Sequence, residues 1–131
     1  MSLFNAKVCD IKNVNELHIV KFSYNTTTLS MMSLELDPNI KVGTLVTLFA
    51  KTNNIALAKN ISGELSYANQ LKATVLAIEN GELLSKITLK NEIQEFESII
   101  TKDSCLRMNL HPNDKVTALI KASELSISEV L

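Results

Sequence analysis

The second half of this 131-residue chain repeats the first. The segment Val46-Thr47-Leu48-Phe49-Ala50-Lys51 returns as Val116-Thr117-Ala118-Leu119-Ile120-Lys121, and 121 − 51 = 70 residues separate the two lysines. Upstream, Phe4 to Ile11 aligns with Leu71 to Ile78 at a spacing of 71 − 4 = 67, a difference read as a longer hairpin in the second copy. A period this long exceeds the roughly 20–50 residues of solenoid repeats. The repeat therefore predicts two tandem β-units, 1–60 and 61–131, joined through the polar stretch Lys59 to Glu64. A unit of half this length has a marginal core by itself, so packing between units or between chains is expected.

Period-two alternation sets the elements. In the second unit Leu71 to Ile78 reads as a strand, and Asn80-Gly81 supplies the pair that takes φ > 0 in a tight hairpin. Ser85, Ile87 and Leu89 fall on one face of the return strand, and a third strand passes through Phe96 to Ile100 with Glu95 and Glu97 facing water. Leu106, Met108 and Leu110 then mark a short helix within 103–110, stopped before Pro112. Val116 to Ser123 and Leu125 to Ile127 are expected to close the unit as strands. The first unit follows the same order, with turns at Asp10 to Asn15 and Asn25 to Thr28, a weaker helix over Met31 to Leu36, and a turn at Lys41-Val42-Gly43. The fold class is all-β: two tandem OB-like five-stranded barrels, each with one short helix before its fourth strand, closure removing exposed sheet edges.

Composition excludes several functions. A net charge of −1 and a pI near 6.1 give no basic footprint for a phosphate backbone, and aromatic residues at 5% offer no stacking platform for single strands. Nucleic acid is not an expected partner. Three glycines and no phosphate loop exclude nucleotide enzymes. No apolar run approaches the roughly 18–20 residues of a membrane span. Cys9 and Cys105 lie far apart without Cys-x-x-Cys spacing and read as buried thiols of a reducing, cytoplasmic protein. His18 and His111 fall in different units with no carboxylate or thiol at ligand spacing, so no metal site with side-chain ligands and no catalytic set is expected. Apolar residues at 46% exceed what a solvated monomer needs, and the excess points to a homodimer or higher oligomer.

What remains is a set of hydroxyls and lysines at matching places in the repeat. Thr117, Lys121 and Ser123 are two or four residues apart and would share a strand face. An ammonium beside hydroxyls and backbone N–H groups is a donor-only surface suited to a tetrahedral oxyanion. Thr101 and Ser104, at the helix entrance, would add hydroxyls and free N–H groups. The same spacing also fits a solvated lysine at 121 and a simple helix N-cap at 101.

The stretch Leu65-Ser66-Tyr67-Ala68-Asn69-Gln70-Leu71-Lys72-Ala73, with Ile120-Lys121-Ala122-Ser123 at the far end, resembles the molybdenum-binding Mop, or TOBE, family. Its members open with Ser-Ala-Arg-Asn-Gln-Leu-x-Gly and close with Lys-Ala-Thr/Ser. The resemblance covers the second unit and extends more weakly to the first, as in di-Mop molbindins and the C-terminal half of the molybdate-responsive transcription regulator. It implies molybdate or tungstate as ligand, bound at contacts between units or subunits. It places Ser66, Asn69, Lys121, Ala122 and Ser123 at the oxyanion, with Thr101 and Ser104 as further hydroxyls. Ala68 stands where the family arginine would be, which removes a bidentate cationic donor. In the first unit Lys51 and Thr52 match the closing motif, and Ser30 and Ser33 match the hydroxyl pair after a one-residue shift. Counterparts of the Ser-Ala-Arg-Asn segment would precede Leu3, so the first unit is expected to lack its opening strand.

The resulting expectation is a non-enzymatic cytoplasmic oxyanion-binding protein. It would serve in storage or homeostasis, or as the effector-binding domain of a regulator. The alternative is a dimerisation module that has lost its oxyanion sites.

Overall fold

The computed structural model describes residues 2–131. Ten strands follow in order: β1 (Ser2–Val14), β2 (Leu17–Tyr24), β3 (Thr27–Ser33), β4 (Leu45–Ala50), β5 (Ala56–Ala58), β6 (Asn69–Asn80), β7 (Leu84–Lys90), β8 (Glu95–Thr101), β9 (Lys115–Ile120) and β10 (Ser126–Val130). A single α-helix, α1 (Lys102–Arg107), lies between β8 and β9, and 3₁₀ turns at Thr52–Asn54 and Ala122–Glu124 follow β4 and β9. The strands make two five-stranded OB-like sheets, ordered β10-β4-β1-β2-β3 and β5-β9-β6-β7-β8.

Each sheet takes its fifth strand from the other half. β10 pairs with β4 (Ile127 opposite Leu48), and β5 pairs with β9 (Leu57 opposite Ala118). Closure of the second unit by its own 125–127 strand is therefore corrected. The cause is local: a tight hairpin needs residues at positive φ, and none of residues 51–55 or 121–125 has one. Lys51 and Ile55 are both extended around their 3₁₀ turn, as are Lys121 and Leu125 around theirs, so the chain crosses to the neighbouring sheet. The 3₁₀ turn also ends β9 at Ile120, so Lys121 and Ser123 do not share a strand face with Thr117.

β1 shows the alternation that dictates the core. Ser2, Phe4, Ala6 and Val8 are buried, whereas Leu3, Asn5 and Lys7 are exposed. At Cys9 the pairing with β2 slips by a bulge between Val8 and Asp10, and β6 slips at the matching place, between Val75 and Ala77. Cys9 falls on the outward face with Leu3, Asn5 and Lys7 and is exposed rather than buried; Cys105 is buried, and both are free thiols. Beyond the bulge β1 continues to Val14, so the turn expected at Asp10 to Asn15 is confined to Asn15-Glu16, with Asn15 at φ 56°. In the second unit neither Asn80 nor Gly81 has positive φ, and the hairpin is instead a longer connection closed by Gly81 N–H donating to Leu84 O at 2.8 Å.

The opening strand of the first unit is present, against expectation: β1 pairs along β4 from Ser2 opposite Ala50, as β6 pairs along β9 from Asn69 opposite Ile120. Ser2 thus occupies the place of Asn69 at the 67-residue spacing. That spacing holds through the third strand, since His18 opposes Ser33 and Ser85 opposes Ile100. It becomes 70 only afterwards: Gly43 (φ 97°) donates to Val8 O at 2.8 Å, and Asn113 (φ 76°) donates to Val75 O at 2.7 Å. The three extra residues therefore lie at α1, not in a hairpin. About 3.6 residues make a helical turn, and the first unit is short by nearly that number. Its expected helix at Met31 to Leu36 is absent. β3 runs to Ser33, whose hydroxyl accepts from Glu35 N–H and donates to Glu35 O, and Asp37 Oδ1 accepts from Asn39 N–H. Such local bonds compete with helix formation.

One core serves both sheets. Phe4, fully buried, packs edge-on against Tyr24 of the first sheet (5.7 Å between centroids) and Phe96 of the second (5.4 Å).

Candidate functional site

The segment that follows β9 is placed by its strand. Ile120 opposes Asn69, so Lys121 leaves the sheet at the end where the segment Leu65 to Ala68 enters it. Asn69 is fully buried, and its carboxamide spans the two halves: Oδ1 accepts from Ser30 N–H at 2.7 Å and Nδ2 donates to Ser30 O at 2.9 Å. Only a side chain that both donates and accepts can satisfy one residue's N–H and C=O together. Ser2 does the same at the matching place, its hydroxyl donating to Glu97 O at 3.0 Å and accepting from Glu97 N–H at 3.2 Å.

These clamps regroup the candidate residues. The Ala122–Glu124 turn packs on β3 of the other half, and the Thr52–Asn54 turn packs on β8. The turn that carries Ala122 and Ser123 and follows Lys121 therefore lies on the strand of Ser30, whose backbone Asn69 clamps, and not on its own half. Lys121, Ser123 and Ser66 are exposed, and Ala122 and Ser30 are half-buried. The hydroxyl of Ser30 is engaged by no other described residue. The turn that follows Lys51 and begins at Thr52 packs on β8, whose Ser98 hydroxyl donates to Ile55 O. In the 67-residue register the counterparts of Ser30 and Ser33 are Glu97 and Ile100, not Thr101 and Ser104.

Three candidate hydroxyls are occupied. Thr101 is the N-cap of α1: its Oγ1 accepts from Ser104 N–H at 3.1 Å and donates to Ser104 Oγ at 3.0 Å. Ser104 Oγ also accepts from Arg107 at 2.9 Å. Thr101 ends β8 four residues beyond Glu97 and Ser104 lies in α1, which packs on β7 and β8, whereas the turn that follows Lys121 packs on β3. Ser33, tied to Glu35, opens instead on a recess of about 500 Å³ that Ser123 also lines and that carries Glu35, Asp37 and Glu129. That recess is acidic and poorly suited to an anion.

Elsewhere the polar groups are structural. Lys59 Nζ donates to Asp114 (3.0 Å) and to the carbonyls of Met108 and Asn109, fixing the joint between units to the end of α1. The His111 backbone N–H, and then Lys59, hold the Asp114 carboxyl below its ordinary range. Burial raises the Tyr24 phenol, whose hydroxyl donates to Gln94 at 2.8 Å and accepts from Asn91 at 3.0 Å. His18 contacts Asn13 through Nε2, while its buried Nδ1 has no partner among the described residues. No cluster of three His, Cys, Asp or Glu at metal-ligand distance occurs among them.

Sequence reading missed Lys21, which opposes Ser30 on β2 and shares its outer face. It also missed Glu97 as the counterpart of Ser30. The signal was available, because the 67-residue spacing carried past the second strand assigns both.

Two barrels related by a reciprocal exchange of strands, with a lysine-bearing turn laid across the partner barrel, define a tandem β-barrel protein with paired polar sites. Residues 65–127 match the TOBE domain. A solved structure of ModG, a cytoplasmic molybdate-binding protein with molybdate bound, is 26% identical, with 96% of this chain and 94% of that chain covered and a TM-score of 0.88. A molybdate-binding protein from Sporomusa ovata is 42% identical over 46% of this chain and 90% of its own, with a TM-score of 0.45. No curated protein sequence matches the chain. The chain belongs to the tandem Mop/TOBE family.

Proposed function

We propose that this protein binds molybdate or tungstate in the cytoplasm and holds the oxyanion without transforming it. The observation that supports the reading is the packing of the turn that follows Lys121 and carries Ser123 on the strand of Ser30, whose backbone Asn69 holds, together with the likeness to molybdate-bound ModG over nearly the whole chain. A lysine charge and converging hydroxyls suit a tetrahedral dianion. Ser66 and the backbone at Ala122 complete the donor set, and Lys51 with Thr52 repeats the lysine-bearing turn against β8. No helix among the described residues is long and apolar enough to cross a membrane.

Titration calorimetry of the full chain with molybdate, tungstate and sulfate tests this. Saturable heat with the first two and a loss of about ten- to a hundredfold in affinity for Lys121→Ala are expected, the effect of removing one charged donor. A second reading, a dimerisation module without oxyanion sites, is favoured by Ala68, which lacks the family guanidinium. Absence of heat with wild type, unrescued by Ala68→Arg, would select it.

A further inference from the structure

We propose that the second half carries a groove for a small amphipathic organic anion, an apolar or aromatic body bearing one acidic group, whose charge is met by Lys72 and Lys115. The groove measures about 1040 Å³, at the upper end of the roughly 300–1,000 Å³ of small-molecule sites. It is a different place from the oxyanion site, because Lys115 begins β9 and Lys121 follows the last residue of that strand.

The repeat shows why the groove opens in one half only. In the first sheet β10 continues along β4 to Val130 opposite Val46, and Leu131 N–H donates to Leu45 O at 2.8 Å. In the second sheet β5 stops at Ala58 opposite Thr117. Lys59 turns aside to Asp114, and Asn60 takes φ 56°, so no fifth strand covers Val116 and Lys115. The β7–β8 hairpin also closes on the first sheet, where Gln94 Nε2 donates to Leu3 O at 2.7 Å. The counterpart of Gln94 is Thr27, whose shorter side chain makes no such bond among the described residues.

The exposed wall is a checkerboard of donors. Lys72 on β6 opposes Thr117 on β9, and Thr74 opposes Lys115; opposite residues project to one face, so two ammonium groups alternate with two hydroxyls. Among the described residues no hydrogen bond or ion pair engages any of these four side chains. The counterparts in the first half are Asn5, Thr47, Lys7 and Leu45, and there Thr47 already donates to Asn5 Oδ1 at 2.8 Å. Charges around the groove do not cancel. Lys90 lines it too, with Glu95 opposite on β8, and Glu92, the one carboxylate among the described lining residues, accepts from Asn25 at 3.3 Å. Asp114 is tied to Lys59. Three lysines against Glu92 and Glu95 leave 3 − 2 = 1 positive charge, which suits a ligand with one acidic group. Ile61, Leu76 and Ile93, all exposed, line the same groove and suit its apolar body. Such a pairing of apolar lining with a few placed charges is the usual make-up of a small-molecule site.

The probe is anilinonaphthalene sulfonate, an aromatic body with one acidic group, followed by its fluorescence on the full chain, with circular dichroism to verify the fold of each variant. Wild type is expected to bind one dye per chain saturably, and to bind phenylnaphthylamine, the same body without the sulfonate, at least tenfold more weakly. Lys72→Ala with Lys115→Ala is expected to weaken the anionic dye at least tenfold, the effect of removing charged donors, whereas Lys121→Ala leaves it unchanged. Should the alanine pair fail to fold, Lys72→Gln with Lys115→Gln carries the same expectation. No saturable binding by wild type, equal affinity for the two dyes, or undiminished binding by the folded double variant overturns the proposal. Weakened binding by Lys121→Ala overturns it as well, since the anion would then sit at the turn after β9. None of these outcomes depends on molybdate, so the oxyanion reading stands or falls separately.

Discussion

Asn54 Nδ2 donates to Glu124 Oε2 at 2.7 Å, and the two residues are each other's counterparts, 124 − 54 = 70 positions apart. Repeat counterparts can touch only close to the axis that relates them. The clamps Asn69 to Ser30 and Ser2 to Glu97, and the crossed strands β5 and β10, are the other reciprocal pairs about that axis. Reciprocity of this kind is the signature of an isologous twofold interface. Here it is internal to one chain, so each lysine-bearing turn finds its facing strand without a second molecule.

Asn69→Ala should be costly. It removes two hydrogen bonds and strands a backbone N–H and C=O at Ser30, an expected loss of about 2–3 kcal/mol, or roughly 6–15 °C in Tm for a chain of this size. Ser2→Ala at the matching clamp should behave in the same direction. Differential scanning calorimetry checks both; a shift below 2 °C for Asn69→Ala would show that the clamp adds nothing to the fold.

The repeat made the strand order and the turn residues legible, because alternation and positive-φ asparagines are local properties. Exchange of β5 and β10 was not legible. It depends on what five residues at 51–55 and 121–125 fail to do, and a missing hairpin leaves no compositional mark. The placement of the turn after Lys121 was hidden for the same reason: reading within one half sets it beside Thr101 and Ser104, whereas the exchange packs it on β3 of the other half. The absent first helix was legible only through a three-residue deficit, which pairwise alignment had assigned to a hairpin.

Thr101 separates capping from ligand binding. Thr101→Ala removes the N-cap bond to Ser104 N–H and should cost about 1 kcal/mol. Molybdate affinity should change by less than twofold, because Thr101 is held away from Lys121. A tenfold loss of affinity in a variant of unchanged Tm would return Thr101 to the oxyanion site.

Acid should loosen the joint between units. The folded pKa of Asp114 is depressed, chiefly by the His111 backbone N–H and then by Lys59. A depressed carboxyl contributes stability that is present above its unfolded pKa of about 3.9 and is lost as pH falls through the folded value. Tm measured from pH 7 to pH 2 should therefore fall more steeply for wild type than for Asp114→Asn. Parallel curves would remove Asp114 from the acid response.

Self-association is expected. The chain exposes 7974 Å², against about 6,900 Å² for a folded monomer of 14.5 kDa. Leu45, Val130 and Leu131 are about half exposed or more at the joined ends of β4 and β10, where a second copy would cover them. Sedimentation equilibrium at micromolar concentration should give a multiple of 14.5 kDa, and Leu45→Lys should shift it toward monomer. A single 14.5 kDa species in wild type would contradict this.

Phe4 tests whether the halves fold as one. It lies fully buried between Tyr24 and Phe96, one ring from each sheet, and each sheet is incomplete without a strand from the opposite half. Phe4→Ala should cost about 3–5 kcal/mol, a large share of the roughly 5–15 kcal/mol that holds a domain folded. Because the core is continuous, the loss should lower one shared transition rather than melt the first sheet ahead of the second. Urea unfolding followed by far-ultraviolet circular dichroism and by fluorescence of Tyr24 and Tyr67, one in each half, should give coincident curves for wild type and for Phe4→Ala. Two separated transitions in the variant would show that the exchanged strands do not couple the barrels.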